Sequence, residues 1–490
     1  MADLKLSEIQ GIILRGYNHH RYSRYLFFHI VDSDKAKHWL AAAIPEITTS
    51  ALWPKGAPKP DTSLNIAFSY AGLESLGYKD TTKTFSREFR TGMPEEDRAR
   101  TLGDTGESEP GKWELGGPTG PLSKDKLHIL LMLYGKDWAS LDEHARNQKS
   151  RISKTGGLEL VYEQDSYMNP EQKEPFGFRD GLSQPPVEGF STLSGVGQAK
   201  DGNASAEDPI KAGEFILGYP NEYNQLPFTP TVPIEMDKKM ILAPLPSDPD
   251  KPNQPTEDAI RDFGQNGSYL VYRKLQQDVK GFRDFMLKTA GNHAGALQLA
   301  AKFMGRWQSG TPLVLAPEKD DAEIAAAPEK FNNFGYHDMD PHGYKCPIGS
   351  HVRRSNPRDS LEPGPKQSKT MVNRHRIIRR GRPYGIPAPD DRSTVKKSEG
   401  VGIIFIAINA SIKRQFEFVQ QMWVNDEKFD EMYENKDAVT GDSDRATIMT
   451  IQAKPVRKRI RDVPRFVQVK GGGYFFLPSI AALKYLASEM

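Results

Sequence analysis

Four times along the chain an apolar run rich in aromatic and branched residues leads straight into a stretch with helical spacing. No other feature of the sequence constrains the fold as much, because a β-strand feeding a helix is what such a run looks like. Tyr25 to Val31 precedes Asp34 to Ile44, and Leu127 to Tyr134 precedes Lys136 to Asn147. Later, Ser268 to Tyr272 runs into a helix expected from Asp278 to Leu287, and Val401 to Asn409 into another from Ile412 to Trp423. Leu158 to Glu163 and Arg465 to Val469 are further strand candidates. Two such units per half, with strands between and after, predict an α+β class with a duplicated β-α-β-β-α-β plan, helices covering one face of an antiparallel sheet.

At 490 residues the chain is too long for one ordinary core, which agrees with two similar halves. Turn-forming residues dominate Asp80 to Pro121, Gln198 to Gly213 and Pro244 to Pro255, which are expected to be loops or insertions. Pro317 to Pro347 mixes an alanine-rich helical piece with turn signals. The least periodic stretch is Pro220 to Thr256, so the halves are placed at 1–235 and 236–490.

The 66 basic and 64 acidic side chains nearly cancel, leaving no long-range field suited to nucleic acid or an anionic membrane and pointing to a small-molecule partner. A single cysteine, Cys346, excludes an intramolecular disulfide and any thiolate cluster for zinc or iron–sulfur. No run of about 18 apolar residues is present, and the first residues lack the apolar core of a secretory signal. The expectation is a soluble, cytoplasmic protein; the sequence sets no oligomeric state.

Three constellations carry chemistry. Gly177-Phe178-Arg179-Asp180-Gly181 lies between Pro175 and Pro185-Pro186, where neither regular helix nor central strand can form. It is either a rigid loop presenting one acid beside an aromatic ring or a plain Asp-Gly turn. Cys346 to Arg358 contains His351 beside Arg353 and Arg354. An imidazole there can be an axial iron ligand with basic neighbours neutralising an anionic cofactor, or one of 11 histidines on a basic turn. Arg374 to Gly385 crowds arginines around Ile377-Ile378, as a buried anion site would, or as an RNA-binding patch would.

In this order the three segments resemble the dye-decolorising peroxidases. The Gly-x-x-Asp-Gly motif stands as Gly177 to Gly181, the Cys-Pro-x-x-x-His-x-Arg-x-x-Asn-Pro-Arg motif as Cys346 to Arg358, and Arg-Arg-Gly as Arg379 to Gly381. Gln10 to Leu14, Gly213 to Tyr219, Gly305-Arg306-Trp307, Gly402 to Phe405 and Gly472 to Ser479 extend the likeness from residue 10 to about 480. Insertions after Asp80 and Thr256 are similar to the larger-loop subgroup of that family.

The resemblance implies two ferredoxin-like halves of the dimeric α+β barrel superfamily and one haem b per chain, held mainly by the C-terminal half. It makes His351 the axial ligand of the iron, Asp180 the distal acid/base and Arg379 the distal cation; Arg380 is set aside because the family's arginine directly follows the apolar pair. Asp437, opening Asp437-Ala438-Val439-Thr440-Gly441, resembles the acid behind the axial imidazole, with alanine where the family has proline; a solvated place among neighbouring acids is the other option. Ile403 and Phe405 resemble the apolar residues over the distal haem, and Arg358 is matched to a propionate contact. Trp423 and Tyr474 are candidate electron relays.

The implied activity is reduction of hydrogen peroxide through a ferryl intermediate, with dyes, phenols or other one-electron donors oxidised. Because the proton shuttle is a carboxylate, with a reference pKa of about 3.9 against about 6.5 for histidine, activity should lie toward acidic pH. The rival readings are a haem-binding protein for iron release, storage or sensing, and an RNA-binding module on duplicated ferredoxin-like halves.

Overall fold

In the computed structural model, which describes residues 3–54, 56–190, 209–246, 259–327, 330–386, 400–443 and 447–488, both halves follow the expected plan. The first half contains strands β1 (Tyr22–Ile30), β2 (Thr62–Phe68), β3 (Ile129–Gly135) and β4 (Leu158–Tyr167), with helix α1 (Ser33–Ala43) after β1 and α2 (Trp138–Thr155) after β3. The second contains β5 (Ser268–Gln277), β6 (Ile378–Arg379), β7 (Arg382–Tyr384), β8 (Gly402–Asn409) and β9 (Val467–Leu477), with α3 (Val279–Ala290) and α4 (His293–Met304) after β5.

Hydrogen bonding orders the strands β7-β8-β5-β9-β2-β3-β1-β4, with β6 also paired to β8, and every pairing is antiparallel. With β6 and β7, which both pair with β8, counted as one interrupted strand, the order within each half is second, third, first, fourth, the ferredoxin-like arrangement. The halves meet at β9 and β2 through the pair Phe476 and Phe68. At the other end of the path β7 lies against β4, so the sheet curls into a barrel.

The inner face of the sheet and the outer face of β1 and β3 are both covered, which is why these strands read as continuous apolar runs and not as alternation. Tyr25 and Phe27 of β1 point into the barrel with Met132, Tyr272, Ile406 and Phe475. Leu26 and Phe28 point outward against Trp39 and Leu40 of α1 and Leu141 and Ala145 of α2. Asp32 and Asp137 cap these helices, accepting from the Lys35 and Ser140 amides at 3.1 and 2.8 Å.

Three features differ from expectation. β2 is additional: its polar Asn65 is buried because it accepts from Tyr17 Oη at 2.8 Å and donates to Gln10 Oε1 and the Thr48 carbonyl. The expected loop after Asp80 holds short helices at Arg87–Thr91 and Glu96–Leu102, the latter capped by Glu95 and closed by left-handed Gly103. The helix expected from Ile412 to Trp423 consists of wide π turns, Lys413–Glu417 and Val419–Val424. The division at 235/236 falls within a small sheet of Thr231–Pro233, Ala243–Pro244 and Ile260–Asp262. Most of the loops expected at 198–213 and 244–255 lies outside the described residues.

Candidate active site

The outer face of the C-terminal half-sheet is not covered like the N-terminal one. α3 and α4 pack on each other and on Phe176 and Phe178 in a separate cluster, leaving a cavity of about 270 Å³ against the strands. Period-two alternation puts Leu275 and Gln277 of β5, Ile403 and Phe405 of β8, and Val467 and Val469 of β9 on this wall. Phe416, Val419 and Val424 of the π turns close one side.

The same alternation separates two neighbouring arginines. Ile378 of β6 is buried in the barrel core, so Arg379 lies on the cavity side. Arg380 points away and donates to the carbonyls of Ile12 and Ile13 at 2.8 and 3.2 Å.

Asp180 reaches the cavity on a loop whose ends require glycine. Gly177 and Gly181 have φ of +101° and +81°, in the left-handed region that disfavours a side chain. The Asp180 amide donates to the Gln172 carbonyl at 2.8 Å, and Oδ1 accepts from Gly181 N at 2.6 Å and Arg379 Nη1 at 2.7 Å. Gln184 adds a second staple, its Oε1 accepting from the Arg379 amide at 2.9 Å.

His351 lines the cavity at the start of the short helix α5 (His351–Ser355). Its Nδ1 is 2.8 Å from Asp437 Oδ2. Asp437 is fully buried, not solvated among its acidic neighbours, and its Oδ1 accepts from the Val439 and Thr440 amides at 2.8 and 2.9 Å. An ionised carboxylate only accepts, so Nδ1 carries a proton and Nε2 is the nitrogen that offers a lone pair when the ring is neutral. Nε2 has no hydrogen-bond partner among the described residues.

The electrostatics hold each group in a defined state. Burial alone would raise the Asp180 pKa, but the Arg379 charge, the Gly181 N–H and the more distant His351 together hold it below the usual carboxylate range. Burial likewise pushes His351 down, and the charge and hydrogen bond of Asp437 reverse this and hold it above its ordinary value. Asp437, opposed by burial and favoured by His351, stays below the usual range.

A pH prediction follows. With Asp180 depressed, the base form persists below the usual carboxylate pKa of about 3.9, and the acid limb of peroxide reactivity should lie there. Arg379→Leu removes the largest opposing influence, leaving burial dominant, so the limb should move to higher pH. Rapid-mixing rates with peroxide between pH 3 and 7 (on the order of these bounds) check this; an unmoved limb would show that another group titrates.

The basic residues beside His351 do not line the cavity as an anion clamp. Arg353 donates to the carbonyls of Asp340 and Cys346 at 3.0 and 3.1 Å, and Arg354 to those of Val424 and Asp426, at 3.2 and 3.1 Å, and of Trp423 and Asn435. They staple the loops that carry His351 and Asp437. Arg358, matched above to a propionate, also lies off the cavity wall: its Nη1 donates to the carbonyls of Asn332 and Phe334 at 3.1 and 3.0 Å, and its guanidinium stacks on Phe334. Left-handed φ at Arg358 turns the side chain toward that loop. Trp423 and Tyr474 are both buried.

Arg306 lies on the wall instead. It is 5 % exposed, donates to the Gly310 and Phe331 carbonyls, Ser183 Oγ and Asn332 Oδ1, and pairs with no carboxylate among the described residues. Burial, and secondarily Arg358, pushes its pKa down to about 9. Gly305-Arg306-Trp307 was visible in the sequence, but nothing local marks its arginine as facing a cavity. Gln184 carried no sequence signal.

Comparison with known proteins agrees with this geometry. Residues 8–164 match the family model described as the DyP dimeric alpha+beta barrel domain, and residues 248–443 match that of the Dyp-type peroxidase C-terminal domain. The chain belongs to the dye-decolorising peroxidase family. A dye-decolorizing peroxidase of Mycetinis scorodonius is 28% identical over 99% of this chain and 88% of its own length. One from Auricularia auricula-judae is 26% identical over 98% and 87%. The solved structure of an ancestral D-type dye decolorizing peroxidase superposes with a TM-score of 0.76 at 28% identity, covering 100% of both chains. A dye-decolorizing peroxidase complexed with 2,6-dimethoxyphenol gives 0.75 at 26%, covering 99% of this chain and 100% of that one.

Dye-decolorising peroxidases are haem enzymes, and the cavity suits such a group on its own chemistry. An imidazole nitrogen and an acid–guanidinium pair share a wall that is largely apolar. On the wall stands Arg306, a buried cation that pairs with no carboxylate among the described residues.

Proposed function

We propose that this peroxidase binds one haem b per chain in the cavity, reduces hydrogen peroxide there, and draws the electrons from dyes, phenols or other small one-electron donors. The observation that carries the proposal is the placement of Asp180 and Arg379, 2.7 Å apart, on the same cavity as an imidazole whose Nδ1 is fixed by a buried carboxylate.

When bound, haem supplies the redox-active iron at which the peroxide O–O bond is broken. His351, through Nε2, would hold the iron, and Asp437 makes that imidazole a stronger donor by accepting a hydrogen bond from Nδ1. Arg306 would offer a cation to the group's carboxylates, while Ile403 and Phe405 would present apolar surface to it.

Asp180, held as the anion, accepts a proton from hydrogen peroxide and returns it to the departing oxygen, so water leaves instead of hydroxide. Arg379 remains cationic throughout; it orients the peroxide and opposes the negative charge that develops as the bond lengthens. It also keeps Asp180 ionised. A haem carrier for iron release, storage or sensing has no use for this pair, and a nucleic-acid module would not place these arginines around an enclosed cavity. No helix among the described residues is long and apolar enough to cross a membrane. The lone cysteine, a buried free thiol, supports placement in a reducing compartment, the cytoplasm.

Titration of the protein with haem b tests the reading. Expected are saturation at one equivalent per chain, an imidazole-type Soret band, and peroxide-dependent oxidation of 2,6-dimethoxyphenol. Saturation without any peroxide-dependent oxidation would favour the carrier.

A further inference from the structure

Six residues before Asp180 stands a second buried acid, Glu174, for which the peroxide chemistry above has no task. It is 8 % exposed and forms part of the same cavity wall. Its Oε1 accepts from the Phe178 amide at 2.9 Å, and its Oε2 from the Phe176 amide at 3.0 Å and Gln277 Nε2 at 2.8 Å. Its backbone joins in: the Glu174 amide donates to the Phe178 carbonyl at 2.9 Å, and Gly177 N donates to the Glu174 carbonyl at 2.8 Å. Every side-chain contact is a donor aimed at an acceptor, which suits the carboxylate and not the neutral acid.

We propose that Glu174 is the positioning residue for the distal acid: its carboxylate gathers the turn Phe176-Gly177-Phe178 and ties it to Gln277 of β5, fixing where Asp180 enters the cavity. The inference rests on the reading of Asp180 as the proton shuttle. Gln277 belongs to the strand that also supplies Leu275 to the wall, so Glu174 sets the loop against the rigid sheet that bounds the site. Holding this anion is costly. Burial, and to a smaller degree the charge of Asp180, pushes its pKa up to about 6 against the three donors. A glutamine of the same shape would avoid that cost, but its amide nitrogen would face an N–H and could not collect both turn amides.

The test uses the haem-loaded enzyme and three variants. Glu174→Gln should lower kcat/KM for hydrogen peroxide at least tenfold, as misplacement of a reacting group by a fraction of an ångström does, while KM for the dye stays within twofold. Amide hydrogen exchange at Phe176 and Phe178 should accelerate at least tenfold, with exchange in β1 to β4 unchanged. Gln277→Leu, which leaves the acid and removes one donor, should shift both readouts in the same direction by about threefold, and it carries the test if Glu174→Gln does not fold. Peroxide kinetics within twofold of the parent in the folded variants, with Asp180→Asn inactive, would overturn the role of Glu174 alone. Exchange accelerated throughout the barrel would also overturn it, since the acid would then be a general stabiliser. Peroxide reactivity retained by Asp180→Asn would remove both this role and the reading beneath it.

Discussion

Asp180→Asn is expected to slow the reaction with hydrogen peroxide by about 10²–10⁴-fold, the range that one positioned acid–base group supplies, while haem uptake stays intact. The substitution isolates the proton. Asparagine has the same shape, and its Oδ1 can still accept from the Gly181 amide and from Arg379 Nη1, the two contacts that place the side chain. What is lost is the ability to take a proton from one peroxide oxygen and deliver it to the other. Arg379 cannot substitute, because a guanidinium keeps its protons across the accessible pH range. The measurement is the bimolecular rate of the Soret change after one equivalent of peroxide; a variant reacting within threefold of the parent (roughly 0.6 kcal/mol in barrier) would sink the assignment.

The second large effect is expected at His351. Replacing it by glycine removes the nitrogen that would hold the iron and leaves Asp437, fully buried, with Oδ2 facing an empty space. Leaving a buried carboxylate without its hydrogen-bond donor costs on the order of 1–3 kcal/mol, so the apoprotein should melt below the parent. The Soret band should lose its imidazole character, and imidazole added to solution should restore it, because Asp437 and Thr440 still offer acceptors at the place of the ring. An unchanged spectrum without added imidazole would show that another residue is the ligand.

Much of the architecture was legible because β1, β3 and β8 are buried on most of both faces and so stood out as apolar runs, such as Tyr-Leu-Phe-Phe in β1. β2 escaped notice for the converse reason: Thr-Ser-Leu-Asn-Ile-Ala-Phe mixes polar and apolar residues, and Asn65 is buried only because distant partners satisfy it. The π turns were indistinguishable from an α-helix, since both periods place Phe416 and Val419 on nearly one side.

At the site, the motif positions Asp180, His351 and Arg379 line one cavity, and Asp437 stands behind it on His351 Nδ1. Alternation along β6 also explains why Arg379 and not Arg380 faces it. The arginines were the hard part. Arg353, Arg354, Arg358 and Arg306 are alike as letters, and only the loops' demand for carbonyl partners decides which are consumed as staples and which reaches the wall.

The unequal covering of the two half-sheets has an energetic consequence. Where β1 and β3 rest on α1 and α2, the interior is complete as soon as the polypeptide folds. On the other side the strands face a cavity lined by Leu275, Ile403, Phe405 and Val467, apolar surface that a bound haem would cover. A prosthetic group there would be interior filling as well as reagent. Its binding would then add resistance to melting of the C-terminal half, growing with the logarithm of its free concentration.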